Sequence, residues 1–368
     1  MYASRRSALP VVGPSVAGLS AACSCVLSAM PLRYNSLLTK ILPAARQLGP
    51  LPATALCAVL ALAAGFYGAW SGEGGRALAA TLATFAIFLL VMLLPASRGV
   101  KEQIISRVGS GAGTLLGVTL FLAYLIYVLG TNTFALARVA AVLALIFVPL
   151  ALAISAEGRP AGAWQDFAIA ASVWVTVKFS PAHWFWPYPG GKLSYAFTVL
   201  LMVNVGIAAF LLTPRLAAVG YSIDWGHRWG LYITSSFLVF GCVAIPLGFA
   251  THFIQFAPGW SSVASLPLAA LGILIFTAWP EEFLFRGLLQ NMVSQKSKSD
   301  LAGWCVASVL FGLSHITNGH FPNWRYVLLA TVAGLFYGWT WRKTGSMFAS
   351  AIVHALVDAT WHFFFRTL

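Results

Sequence analysis

The hydrophobic positions of this chain fall into long, nearly uninterrupted blocks that are separated by short polar segments. Most blocks are about 18–22 residues long, which is the length that a helix needs to cross roughly 30 Å of hydrocarbon. The blocks are apolar on all sides, as expected for helices that contact both lipid and each other. The pattern predicts eleven spans, at 51–70, 78–96, 113–130, 139–156, 168–188, 195–213, 231–250, 266–294, 303–319, 327–342 and 348–365.

Composition supports this class of protein. Hydrophobic residues make up 60% of the 368 residues and charged residues only 8%, against about 25% charged residues in an ordinary soluble domain. So few charges could not cover the surface of a soluble protein of this length. We therefore predict an all-α, polytopic transmembrane helical bundle of about eleven spans that is embedded in a lipid bilayer.

Two segments leave the number of spans open. The block at 168–188 is the weakest because it contains Lys178, although the aromatic residues at 184–188 are typical of a membrane interface. The segment 8–31 is apolar but rich in Ser, Gly and Pro. It could be a signal-like stretch, a twelfth helix or, if Met30 is the true start, untranslated sequence.

The positive charges indicate the orientation of the bundle. With the tail before residue 51 placed inside, 15 of the 22 Lys and Arg residues lie in predicted inner segments and five lie in outer ones, as the positive-inside rule requires. The net charge of +13 is thus a signal of topology. Nucleic-acid binding would need basic residues clustered on a soluble module, and the sequence contains no such module, so we predict no nucleic-acid partner.

The ionisable residues divide the chain near residue 265. Before that point every Asp and Glu lies in a predicted loop, whereas the predicted spans after it contain acidic residues and histidines. Ionisable side chains at that depth are costly unless they are paired, so they are candidates for function. We predict an N-terminal tail over 1–50, an N-terminal transmembrane region over 51–264 and a C-terminal four-helix catalytic unit over 265–368.

The first motif of this unit places two acids and a base in one span. Glu282 and Arg286 are four residues apart with the acid first, the favourable order for an ion pair along a helix. Glu281 is rotated by about 100° from Glu282 and points elsewhere. We predict that Glu282 and Arg286 have a structural and charge-tuning role, while Glu281 is free for chemistry.

Two further motifs follow in later spans. Phe311 and His315 are four residues apart, and so are His354 and Asp358, so each pair shares one face of a helix. At 1.5 Å per residue, Glu281 and these three polar residues lie roughly 16–22 Å from charges on the predicted inner side. Their common depth predicts one shared site near the middle of the membrane.

Together these motifs resemble the CAAX-protease and bacteriocin-processing (CPBP) family, which includes the type II CAAX prenyl endopeptidases. The resemblance covers roughly residues 265–368 and rests on the order and spacing of the three motifs in successive spans. It implies an intramembrane glutamic-type endopeptidase that acts on a membrane-associated protein or peptide.

The resemblance also implies roles for single residues. Glu281 would activate a water molecule, His315 would orient that water and pass a proton, and His354 and Asp358 would stabilise the oxyanion. Eukaryotic CAAX enzymes have asparagine where this chain has Asp358. Because a carboxylate donates a hydrogen bond only when it is protonated, the alternative role of Asp358 is to orient His354. Phe311 is expected to support the site.

No cofactor is predicted, although zinc remains an alternative. Glu281, His315 and His354 are residue types that bind zinc, but the chain has no HExxH motif. Other functions also stay open: an ion-coupled carrier with a buried Glu, His and Asp relay, or an inactive binding or immunity protein. The short loops favour a multi-pass protein of a prokaryotic inner membrane.

Overall fold

The computed structural model describes residues 49–190, 192–213 and 215–368. The interpretations of the segment 8–31 fall outside these residues. Helices account for 78% of the structure, which confirms the predicted all-α bundle. Each of the eleven apolar blocks forms a helix, because only a helix satisfies every backbone hydrogen bond within one apolar segment.

The N-terminal helices follow the predicted blocks closely, with one addition. An amphipathic helix of 11 residues, which was not predicted, precedes the third block and carries exposed basic side chains. The helices are α1 (Leu51–Trp70), α2 (Gly75–Leu93), α3 (Arg98–Val108), α4 (Ala112–Gly130), α5 (Leu136–Ser155), α6 (Trp164–Phe179), α7 (Ala182–Phe185), α8 (Lys192–Ile207) and α9 (Trp229–Ala250).

Four helices form the C-terminal part and pack against one another. The first is long, and two π-helical segments interrupt its α-helix. They are Leu274–Ala278 and Phe283–Gln290, and the α-helical turn Trp279–Glu282 lies between them. The helices are α10 (Val263–Ser297), α11 (Asp300–Leu313), α12 (Trp324–Thr344) and α13 (Met347–Phe364).

Eight helical segments of the described residues are long and apolar enough to cross a membrane. The chain is therefore an integral, multi-pass membrane protein. Three predicted spans correspond to helices outside this set: α6 and α11 have 16 and 14 residues, and α12 is long but less apolar. The number of eleven spans stays a prediction.

Two of the predicted spans end earlier than expected. The helix of the block 168–188 ends at Phe179, because Ser180 is extended and Pro181 follows it. The helix of the block 303–319 ends at Leu313, and residues 314–317 form turns. His315 therefore lies just after a helix and not within one, which corrects the prediction.

Close helix packing holds the C-terminal helices in place. A methyl group added to Gly334 would lie 3.0 Å from Ser308 Cα, and one added to Gly338 would lie 2.6 Å from Trp304 Cδ1. Small residues at such positions allow helices α11 and α12 to approach closely. A short antiparallel pairing of β1 (Ile254–Phe256) with β2 (Phe365–Thr367), absent from the predictions, joins the segment after α9 to the end of α13.

Two acidic residues before position 265 are not in loops, since Glu102 lies in α3 and Asp166 lies in α6. Asp166 lies in the first turn of α6, is buried, and forms an ion pair of 2.9 Å with the buried guanidinium of Arg215. Its carboxylate also accepts hydrogen bonds from the backbone amides of Gly162 and Ala163. The prediction that every acid of this region lies in a loop was wrong, since a carboxylate at a helix N-terminus is stabilised by the free amides there.

Candidate active site

Glu281 and Glu282 lie in the α-helical turn of α10 between its two π-helical segments. A π turn inserts an extra residue and changes the face on which the following side chains lie. Glu282 is fully buried, whereas the side chain of Glu281 is 31% exposed. The two neighbouring carboxylates therefore have different environments.

Glu282 is held by three partners. Its Oε2 accepts a hydrogen bond of 2.6 Å from the hydroxyl of Ser350 and lies 3.1 Å from Nε of Arg286. Its Oε1 lies 2.9 Å from Nδ1 of His354. Both oxygens of Glu282 are thus occupied by neighbours on its own helix and on α13. The predicted contact between Glu282 and Arg286 is present.

Arg286 is fully buried among aromatic rings. Its guanidinium carbon lies 4.6 Å from the ring centre of Phe311 and 5.3 Å from that of Tyr337, and its Nη2 donates to the carbonyl of Gly334. The Nε–H does not point at the carboxylate oxygen of Glu282, so the contact between them is an ion pair without good hydrogen-bond geometry. Ring faces stabilise a desolvated cation, which explains why Phe311 lies at the centre of the cluster.

His354 is buried on α13 and faces carboxylates through both ring nitrogens. Besides the contact of Nδ1 with Glu282, its Nε2 lies 3.5 Å from Oδ2 of Asp358 and 3.9 Å from Oε2 of Glu281. The imidazole stacks on Tyr337 with a centroid distance of 4.5 Å. Ionised carboxylates only accept hydrogen bonds, so these surroundings favour protons on both nitrogens.

His315 lies in the turn after α11 and is fixed by the end of that helix. Its Nδ1 is 2.8 Å from the carbonyl oxygen of Phe311 and 3.0 Å from the hydroxyl of Ser314. Because a carbonyl only accepts, Nδ1 carries the proton and Nε2 of the neutral ring has a free lone pair. The ring also packs against Tyr326, with a centroid distance of 5.0 Å.

Two cavities meet at these residues. The first, of about 380 Å³, extends between α6, α8 and α10, and the second, of about 330 Å³, extends between α10, α12 and α13. Both are lined by Glu281, His315, Thr277 and Asn318, while His354 and Asp358 line the second. The structure thus brings the four predicted polar residues together around one cavity.

The comparisons with known proteins concern the same part of the chain. Residues 263–360 match the family of type II CAAX prenyl endopeptidases described as Rce1-like. The match confirms the resemblance that the three motifs predicted, and it contains every predicted site residue. No curated protein and no solved structure matches the chain.

Lys178 also lines the first cavity, although it lies outside the Rce1-like region. Its Nζ donates a hydrogen bond of 2.8 Å to Oδ1 of Asn318. Sequence reasoning assigned no role to either residue. The signals were present, since Lys178 is an ionisable residue in an apolar block, and Asn318 with Gly319 forms a dipeptide typical of a turn.

Ser350 and Tyr337 are further partners that the sequence did not point to. Both are buried and both contact residues of the predicted motifs: Ser350 donates to Glu282, and Tyr337 stacks on His354. No spacing rule links residues on different helices, so these contacts could be found only in the fold of the Rce1-like region.

The described residues contain no group of three or more His, Cys, Asp or Glu side chains arranged to hold a metal ion. In the Rce1-like region, His354 directs both nitrogens at carboxylates, and Nδ1 of His315 is bound to a backbone carbonyl. Nε2 of His315 and Oε2 of Glu281 are two atoms of these residues that remain available to bind a metal ion. The alternative of a zinc site therefore stays a hypothesis for experiment.

Proposed function

We propose that this protein is an intramembrane endopeptidase that hydrolyses a peptide bond of a membrane-associated protein or peptide with a water molecule activated by Glu281. The observation that carries the proposal is the contrast between two neighbouring carboxylates. Glu282 is buried and fully partnered, whereas the partly exposed side chain of Glu281 lines both cavities, and its buried Oε2 has no hydrogen-bond partner among the described residues. The Rce1-like match supports peptide hydrolysis as the reaction.

Glu281 acts as the general base in this proposal. A general base must reach the water that it deprotonates and must be free of competing partners. In the reaction the water oxygen attacks the scissile carbonyl carbon, its proton passes to Glu281, and the carbonyl becomes a tetrahedral oxyanion. The position of Glu281 between the two cavities allows a substrate backbone to pass across it.

His315 is proposed to orient the water and to deliver the proton to the leaving amine. The bond from Nδ1 to the carbonyl of Phe311 fixes the ring and the tautomer. Nε2 can therefore accept a proton from the water or from Glu281. When the carbon–nitrogen bond breaks, the same proton neutralises the amine, as general acid–base catalysis requires.

His354 is proposed to stabilise the oxyanion. With protons on both nitrogens it donates to Glu282 through Nδ1 and presents Nε2–H beside Glu281, where negative charge develops. A preorganised donor of this kind is a large contribution to the catalysis of acyl transfer. Asp358, at 3.5 Å from Nε2, fits the role of orienting His354 better than that of a donor.

The substrate is proposed to be membrane-associated because the site lies among membrane-spanning helices. The family description names type II CAAX prenyl endopeptidases, and we propose a prenylated CAAX protein as one candidate substrate of this chain. A bacteriocin precursor or another membrane-anchored peptide would meet the same catalytic groups. We extend the proposal to a prokaryotic inner membrane, which the short connections between helices support.

The test uses the membranes of cells that express either the wild-type chain or Glu281→Ala at equal levels. We expect new protein N-termini, detected by mass spectrometry, that are present only with the wild type. Purified protein in detergent is then assayed with a fluorogenic farnesylated CAAX peptide and with the same peptide without the lipid. If no new N-termini depend on Glu281 and neither peptide is cleaved, the proposal is wrong, and an ion-flux assay in liposomes then tests the carrier hypothesis.

A further inference from the structure

Lys178 brings a basic side chain from the N-terminal helices into the candidate active site. It lies one residue before the end of α6, outside residues 263–360, and it lines the cavity that Glu281 and His315 also line. A lysine in a helix of a membrane bundle is costly unless a partner or a function compensates for it. The position of Lys178 therefore calls for a role.

The partner of Lys178 is neutral. Its ammonium donates 2.8 Å to Oδ1 of Asn318, and among the described residues it forms no ion pair. The other basic side chains of the interior behave differently. Arg215 pairs with Asp166 and Arg286 pairs with Glu282. Lys178 is thus used for a hydrogen bond to one particular side chain, on a segment 140 residues away.

That segment is the turn that carries His315. The backbone leaves helix α11 after Leu313, although the amide of His315 still donates to the carbonyl of Gly312 at 3.0 Å. Further contacts hold the rest of the turn: the amide of Asn318 donates to the carbonyl of His315 at 3.0 Å, and the side chain of Asn323 donates to the carbonyl of Asn318 at 2.8 Å. Asn318 is therefore the link through which Lys178 reaches His315.

We propose that Lys178 is a positioning residue for the peptidase reaction, which through Asn318 fixes the turn carrying His315 in its place beside Glu281. The inference rests on the proposed function, because it assigns His315 a catalytic role. It gives the N-terminal helices a part in catalysis: α6 completes an active site whose other groups all belong to the Rce1-like region. A displacement of a catalytic group by about 1 Å can lower turnover by about 100-fold, so one such tether has a measurable effect.

The experiment is a double-mutant cycle on purified full-length protein, with the fluorogenic farnesylated CAAX peptide as substrate. The variants are Lys178→Met, Asn318→Ala and both together, with Lys178→Arg as the conservative replacement. Lys101→Met is the matched control, since Lys101 is a half-exposed lysine on α3, away from both cavities. Thermal unfolding of each variant shows whether it is folded.

We expect Lys178→Met and Asn318→Ala each to lower kcat by about 10- to 100-fold, with KM changed less than twofold. Because both residues act through one contact, we expect the kcat of the double variant to equal that of the more impaired single variant. Lys178→Arg, which keeps a donor and the charge, retains more turnover than Lys178→Met. Lys101→Met has wild-type kcat.

Three results overturn the inference. Unchanged kcat in folded Lys178→Met shows that the contact is only structural. Losses that multiply in the double variant show that the two residues act independently, and a rise of KM at constant kcat shows that Lys178 binds the substrate instead. In each case the wild-type protein still cleaves the peptide, so the proposed function stands. If the wild-type protein has no peptidase activity, both the inference about Lys178 and the proposed function are wrong.

Discussion

Acidic residues have different surroundings in the N-terminal and the C-terminal helices of this bundle. Among the N-terminal helices, Asp166 is buried at the start of α6 and is matched with one guanidinium and two backbone amides. In the C-terminal helices, Glu281, Glu282 and Asp358 all lie within 4 Å of the single ring of His354. The first arrangement pairs one carboxylate with one guanidinium, whereas the second places three carboxylates around one imidazole.

The comparison separates structural carboxylates from catalytic ones by their partners. A buried carboxylate whose two oxygens are both occupied holds helices together, as Asp166 and Glu282 do. A partly exposed carboxylate that lines a cavity and has an oxygen without a hydrogen-bond partner, as in Glu281, is available for chemistry. The distinction applies even to Glu281 and Glu282, which are adjacent in the sequence.

The largest effect on turnover among the residues around Glu281 is expected at His315. His315→Ala removes the proposed proton carrier and should lower kcat by about 10²–10⁴-fold, the usual contribution of a general acid–base group. The ring is only half-buried, so the protein should still fold. Single-turnover assays of the purified variant measure the loss. Activity within threefold of the wild type would remove His315 from the proposed mechanism.

Arg286→Ala should mainly affect stability. It removes one of the cationic partners of the buried Glu282, and breaking a buried ion pair by removing one partner costs about 3–5 kcal/mol. Thermal unfolding in detergent should show a lower Tm and the membranes should contain less protein, whereas Arg107→Ala on the exposed face of α3 should match the wild type. A Tm equal to that of the wild type would show that Arg286 does not compensate the buried charge of Glu282.

Asp166→Asn tests the N-terminal side of the comparison. The amide can still accept hydrogen bonds from Gly162 and Ala163, but Arg215 loses its counter-charge. The expected loss is about 2 kcal/mol of stability, the typical value of a hydrogen bond to a charged group. The turnover of the folded variant should be unchanged. A strong drop in turnover would show that this ion pair affects the active site. The carboxylate of Asp166 would then not be purely structural.

The smallest effect is expected from removal of metal ions. If glutamate and histidine catalysis suffices, dialysis of the purified protein against a strong chelator leaves its activity unchanged. Metal content is measured on the same sample by mass spectrometry. Loss of activity together with stoichiometric zinc, and its return when zinc is added back, would make Glu281 and the histidines metal ligands instead.

The helices and the local pairs could be predicted from the sequence, because both depend on short-range rules. Apolar blocks of membrane length gave the positions of the helices, and four-residue spacing correctly paired Glu282 with Arg286 and His354 with Asp358. The common depth of the polar residues correctly predicted that Glu281, His315, His354 and Asp358 meet at one cavity.

What could not be predicted depends on contacts between distant segments and on irregular backbone. The bond from Lys178 to Asn318 and that from His354 to Glu282 join segments that no periodicity relates. The π-helical turns of α10 have no simple sequence signal, yet they set the faces of the two glutamates. The early end of α11 was missed because Ile316 extends the apolar block beyond Leu313, the last helical residue.

The contrast between Glu281 and Glu282 can be measured directly with two isosteric variants, Glu281→Gln and Glu282→Gln, in one purified preparation each. Turnover of the farnesylated peptide per folded molecule and the Tm are determined for both. We predict that Glu281→Gln has the wild-type Tm and no detectable turnover, whereas Glu282→Gln has a clearly lower Tm but residual turnover. Wild-type turnover in Glu281→Gln would contradict the account, because the residue with the free carboxylate would then not be the base.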